Sequence, residues 1–90
     1  MPDIKENALQ VVITESNGVL MYSNDVRAVS SKNENGVFDI LPYHINFISI
    51  VRERIVIVEL SGEKKEFPIE RGLMSVYKNK VEVFLGIQVK

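Results

Sequence analysis

Apolar and polar residues alternate along most of this chain with a period of two. In Leu9-Gln10-Val11-Val12-Ile13, the side chains of Leu9, Val11 and Ile13 fall on one face and those of Gln10 and Val12 on the other, because successive side chains of an extended backbone point to opposite sides. Towards the other end, Val81, Val83, Leu85 and Ile87 share a face opposite Glu82, Phe84, Gly86 and Gln88. The run Ile55-Val56-Ile57-Val58 is apolar on both faces, the pattern of a strand in the middle of a sandwich. No segment sustains the apolar stripe that a helix needs. Turn signals at Asn17-Gly18, Asn35-Gly36, Ser61-Gly62, Arg71-Gly72 and Asn79 interrupt the alternation at short intervals. Together these predict short strands over 8–14, 18–23, 25–31, 36–40, 45–51, 54–60, 64–70, 72–78 and 80–87. Pro68 has no N–H for a ladder, so the strand that holds it is expected at an edge or a bulge. About eight to ten short, mostly antiparallel strands define an all-β class, a small sandwich or flattened barrel.

Composition agrees with this. Val and Ile supply 23 of the 90 residues, against 8 for Ala and Leu, and branching at Cβ suits a pleated sheet better than a helix. The length fits one domain, expected over 8–90 after a flexible tail over 1–7. With no cysteine, neither a disulfide nor a thiolate metal site braces the core. The 11 Lys and Arg nearly balance the 12 Asp and Glu. A nucleic-acid binder needs a basic surplus, so no nucleic-acid partner is expected. Lys64-Lys65, set between Glu63 and Glu66, reads as a solvated strand edge. Residues 1–7 lack an apolar leader, and Arg52-Glu53-Arg54 cuts the most hydrophobic stretch, Ile45 to Leu60, into halves too short to span a bilayer. The expectation is a soluble, cytoplasmic-type chain without direct membrane insertion, monomeric when alone.

Chemistry is scarce. His44 is the single histidine, no Gly-x-Ser-x-Gly elbow accompanies it, the glycines are isolated and the carboxylates are scattered. No catalytic group, metal site or cofactor is therefore expected. The densest feature is Gly36-Val37-Phe38-Asp39-Ile40-Leu41-Pro42-Tyr43-His44. Gly36 after Asn35 closes a turn, and Pro42 keeps Leu41 extended and stops the strand. Phe38 and Ile40 share one face, with Val37, Asp39 and Leu41 on the other. With the first face in the core, Val37 and Leu41 either form an apolar rim for a partner or lie under a neighbouring strand. His44 has two readings: a donor to a partner's backbone, or a half-buried residue tying the Leu41-Pro42-Tyr43 corner to the sheet. Residue physics alone favours the second.

The segment from Gly36 to His44 resembles the Gly-x-Phe-Gly-Ile-Leu-Pro-x-His segment of the N-terminal β-sandwich of F-type ATP synthase epsilon subunits, with Asp39 in place of the inner glycine. Leu9 to Thr14 followed by Gly18 to Tyr22 looks like that family's opening hairpin, and Asp25 to Ser31 takes the place of its next strand. Arg71 to Val83 is similar to its Gly-Phe-Leu-x-Val-x-x-Asn-x-Val-x-Val ending. The likeness runs in order over residues 8 to 87. This sequence departs at Ser31 to Asn33, at Glu53-Arg54 and at Asn46, where the family often has proline or Pro-Gly. The chain also ends at Lys90, where the family continues into a helical hairpin, so the inhibition and nucleotide sensing that belong to the hairpin are not carried over.

The resemblance implies a non-catalytic rotor subunit, peripheral to the energy-transducing membrane on its cytoplasmic side. It would dock on the gamma subunit and the c-ring and couple proton-driven rotation to ATP synthesis. By the same resemblance Val37 lies where the domain faces the c-ring, with Glu34 and Asp39 supplying charge; Leu41 belongs to the same rim, and His44 and Ser49 face gamma. Two other functions compete with it: a stand-alone sandwich that binds a different protein, and a module that holds a small ligand in the sandwich mouth.

Overall fold

The computed structural model describes residues 8–44 and 46–86. The expected tail over 1–7, Ile45 of the predicted segment 45–51 and Ile87 of the last predicted strand lie outside them. Among the described residues there are six strands and no helix. They are β1 (Leu9–Glu15), β2 (Gly18–Asn33), β3 (Gly36–Ile40), β4 (Phe47–Glu59), β5 (Lys64–Tyr77) and β6 (Lys80–Leu85). The sheet runs β1-β6-β5-β4-β2-β3, and a further β1–β2 pairing closes five of the strands into a ring with β3 outside it. Every pairing is antiparallel except β1–β6.

The all-β expectation holds, but the predicted segments merge. One strand, Gly18–Asn33, takes the place of segments 18–23 and 25–31; Phe47–Glu59 takes the place of 45–51 and 54–60, and Lys64–Tyr77 that of 64–70 and 72–78. Each of these long strands serves both layers of a flattened barrel. One layer contains β1, β6 and residues 18–26, 47–51 and 72–77 of the long strands. The other contains β3 with residues 28–33, 54–59 and 64–69. The polar residues that suggested breaks mark the crossings. β2 shifts register between Val26 and Ala28 beside exposed Asn24 and Asp25. The β4–β5 ladder shifts between Arg52 and Glu53, where Glu53 takes a φ of 76°. At such a corner both sides of the strand lie outside the interlayer space. Polar residues are tolerated there, and a bulge supplies the bend.

The core lies between the layers. Leu9, Val11, Ile13, Val26, Met74, Val81 and Val83 meet Val29, Ile40, Ile55 and Ile57, all fully buried. The two faces read for β1 are therefore correct, and for the last strand the described Val81 and Val83 agree. The central run differs from expectation. Ile55 and Ile57 point inward, but Val56 and Val58 are only half-buried because they face away from the interlayer core and, among the described residues, no element covers them. Pro68 sits opposite Arg54 on the stretch of β5 that has β4 as its single neighbour, an edge, as its missing N–H requires.

Candidate functional site

The Gly36–His44 segment is β3 and the corner after it. Glu34 and Asn35 form the tip of the β2–β3 hairpin; the Asn35 N–H donates to Asn33 Oδ1 at 2.8 Å, and Gly36 takes a φ of 115°, which a side chain would resist. On β3, Ile40 is fully buried and Phe38 meets the Phe47 ring edge-on, with centroids 5.7 Å apart. The opposite face is open: Val37 is 65% exposed, Leu41 53% and Tyr43 67%. Of the two readings left open for Val37 and Leu41, the structure adopts the exposed rim. Among the described residues β3 has β2 as its one strand neighbour, and its outer face is exposed.

After Pro42, the His44 N–H donates to the Leu41 carbonyl at 3.1 Å and closes the corner. The half-buried His44 ring lies against Phe47, centroids 5.1 Å apart. This is the arrangement of the structural reading, and it holds the corner to the start of β4. Tyr43 takes a φ of 68°, and its N–H donates to Asn79 Oδ1 at 2.6 Å. Asn79 belongs to the two-residue turn joining β5 to β6, where Lys78 and Asn79 both have positive φ, the twist that favours tight hairpins. Its carbonyl also accepts from the Gln10 N–H at 2.8 Å, while Asn46 Oδ1 accepts from the Lys78 N–H at 3.3 Å.

Asn79, Asn46 and Phe47 thus fix the corner. The sequence marks Asn79 as a turn residue but not Asn46 or Phe47 as positioning residues: the Asn46 partner Lys78 is 32 positions away, and the ring contacts of Phe47 follow no periodic pattern. Asn79→Gly keeps the left-handed backbone and removes the acceptor. The Tyr43 amide should then exchange with solvent about fivefold faster, the loss of one hydrogen bond worth about 1 kcal/mol. Unchanged exchange would show that the corner is held by other contacts.

The six site residues expected from the resemblance fall in three places. Val37 and Asp39 lie on the outer face of the β3 layer, paired across strands with Lys32 and Ser30. The charges there are engaged: Ser30 Oγ donates to Asp39 Oδ1, and Lys32 Nζ meets Glu53 Oε2 at 2.9 Å. That bond from Lys32 holds the Glu53 carboxyl below the usual carboxylate range. Leu41 and His44 form the corner. Glu34 and Ser49 line a separate open cleft of about 830 Å³, together with Asn33, Ile48, Ile50, Arg52 and Arg71. Ser49 Oγ accepts from Asn33 Nδ2 at 3.1 Å, which links β4 to the end of β2. Among the described residues no three His, Asp or Glu converge as a metal site, and no helix is long and apolar enough to cross a membrane.

Residues 8–86 match the family described as ATP synthase, Delta/Epsilon chain, beta-sandwich domain. An ATP synthase epsilon chain of Nitratiruptor sp. is 31% identical over 72 residues, covering 79% of this chain and 54% of the relative. One from Campylobacter fetus is 29% identical over 80 residues, covering 88% and 61%. This chain therefore spans little more than half the length of those relatives. Among solved structures, a chain of the Euglena gracilis mitochondrial ATP synthase (OSCP/F1/c-ring) superposes with a TM-score of 0.81 at 16% identity, covering 98% of this chain and 56% of that one. A chain of the Tetrahymena thermophila mitochondrial ATP synthase central stalk/c-ring gives 0.71 at 12%, covering 86% and 62%. At such identities the likeness is one of fold.

Proposed function

The chain belongs to the ATP synthase delta/epsilon chain β-sandwich family, and from that premise we propose that it is a non-catalytic part of the central stalk of an F-type ATP synthase. It docks on the gamma subunit and the c-ring, peripheral to the membrane on the cytoplasmic side, and passes proton-driven rotation towards ATP synthesis. The observation that carries this reading is the open Gly36–His44 rim on a closed five-stranded ring. A part that transmits torque must hold two neighbours without shearing. A ring of paired strands resists shear, and a rim pinned by Asn79 and Phe47 presents its apolar groups in one geometry. Val37 faces the c-ring in this reading, with Asp39 beside it and Glu34 at the hairpin tip supplying charge. Leu41 extends the rim, and His44 and Ser49 face gamma.

Binding to a gamma–c-ring assembly stripped of its own epsilon subunit tests the proposal. The chain should bind saturably, and Leu41→Lys with Val37→Lys should weaken binding more than about tenfold, because each places a cation in a contact to which Glu34 and Asp39 bring negative charge. Both residues are exposed, so neither change should disturb folding. No binding by the parent chain would overturn the function. Equal binding by the variant would overturn the placement of the contact.

A further inference from the structure

On the β1 layer the outward residues form a band of exposed apolar side chains. Cross-strand register places Phe84 beside Leu73 and Leu73 beside Ile50, with Ile48 two residues further along β4. Ile48 is 69% exposed, and Ile50 and Phe84 are also exposed. The band ends at Arg52 and Arg71, directly opposite each other across β4 and β5 and both exposed. Like charges at facing positions repel unless an anion lies between them. Among the described residues neither guanidinium is held in an ion pair or a side-chain hydrogen bond. Glu53 feels the charge of Arg52, but its carboxylate is bonded to Lys32. Glu34 and Glu70 line the same cleft without pairing to either arginine.

We propose that this end of the β1 layer docks a protein segment in which one carboxylate is flanked by apolar side chains. The carboxylate is received between the Arg52 and Arg71 guanidinium groups, whose planar forks suit bidentate bonds to carboxylate oxygens. The flanking apolar groups cover Ile48, Ile50, Leu73 and Phe84. Charge complementarity selects this occupant, because a second copy of the chain would set arginine against arginine unless it turned a different face. The proposal rests on the docking function above for there being a protein partner, and it adds that partner's chemistry.

The test uses the ¹⁵N-labelled chain alone, so it succeeds or fails independently of gamma and the c-ring. The probe is the capped peptide Ser-Ser-Leu-Glu-Leu-Ser-Ser, with a Gln-for-Glu peptide and inorganic phosphate as controls. The Glu peptide should shift the Arg52 and Arg71 Nε–H signals and the amides of Ile48, Ile50, Leu73 and Phe84, saturably in the millimolar range. The Gln peptide, and the variants Arg52→Gln and Arg71→Gln, should each bind at least about fivefold more weakly. Equal binding of the two peptides, or shifts centred elsewhere, would overturn the proposal, as would no saturable shift. Guanidinium shifts with phosphate and no response of the apolar residues to peptide would mean a small-anion site instead. Concentration-dependent shifts of the same residues without peptide would mean that a second copy covers the face.

Discussion

Ile57→Ala is expected to cost about 2–5 kcal/mol of folding stability, the range for truncating a fully buried isoleucine. Ile57 lies in β4 between Val29 of β2 and Lys65 of β5, and its side chain is completely shielded between the layers. A chain of 90 residues has a total stability of roughly 5–13 kcal/mol. The substitution therefore removes a large share of it, and no disulfide limits the loss. In urea the midpoint should fall by at least about 0.7 M, given slopes of roughly 1–3 kcal/mol per molar. The neighbouring change, Val58→Ala, removes methyl groups from the half-buried outer face and should cost less than about 1 kcal/mol. Equal losses at the two positions would place the dry interior elsewhere.

That contrast also shows what the sequence made legible. Alternation identified the inward face of β1 directly, because a one-residue slip would have turned Leu9, Val11 and Ile13 out to water; in β4 the run Ile55-Val56-Ile57-Val58 is apolar at every position and left its inward face unmarked. Pro68 announced its own edge through a missing donor. The continuity of the long strands was hidden, since Asn24, Arg52 and Glu53 look like strand ends but sit at corners where the backbone passes between layers. Nor could periodicity decide whether Val37 and Leu41 are covered; that depends on which strand lies beside β3, a fact of topology. The Gly36–His44 segment was visible as a corner from Gly36 and Pro42, but the residues that hold it were not. Asn79 reaches Tyr43 across 36 positions of sequence, and no local pattern encodes such a contact. The opposition of Arg52 and Arg71 was equally out of reach, because it requires the exact β4–β5 register on both sides of a bulge.

The same register gives Gly72 a role that differs from its expected place in a turn. It is buried within β5, where strand passes into strand, with its φ outside the left-handed region. What excludes a side chain there is space. A Cβ would stand 2.8 Å from Leu85 Cδ2, 3.1 Å from the Phe84 carbonyl oxygen and 3.6 Å from Val51 Cγ2. The leucine tip is able to turn aside, but the carbonyl belongs to the ladder joining β5 to β6. Gly72→Ala should therefore cost about 1–3 kcal/mol, as overpacked cores do. Gly72→Val, with two further methyl groups against β6, should cost more than about 3 kcal/mol and lower the urea midpoint further than Gly72→Ala does. Adding Leu85→Ala to Gly72→Ala should recover about 1 kcal/mol relative to the sum of the separate effects, because one clash disappears while the carbonyl stays. Simple additivity would show that Leu85 is not the obstacle. Because Leu73 and Phe84 flank this contact on the outer face, the alanine variant should also move their amide signals, linking the closeness of β5 and β6 to the shape of the surface offered to a partner.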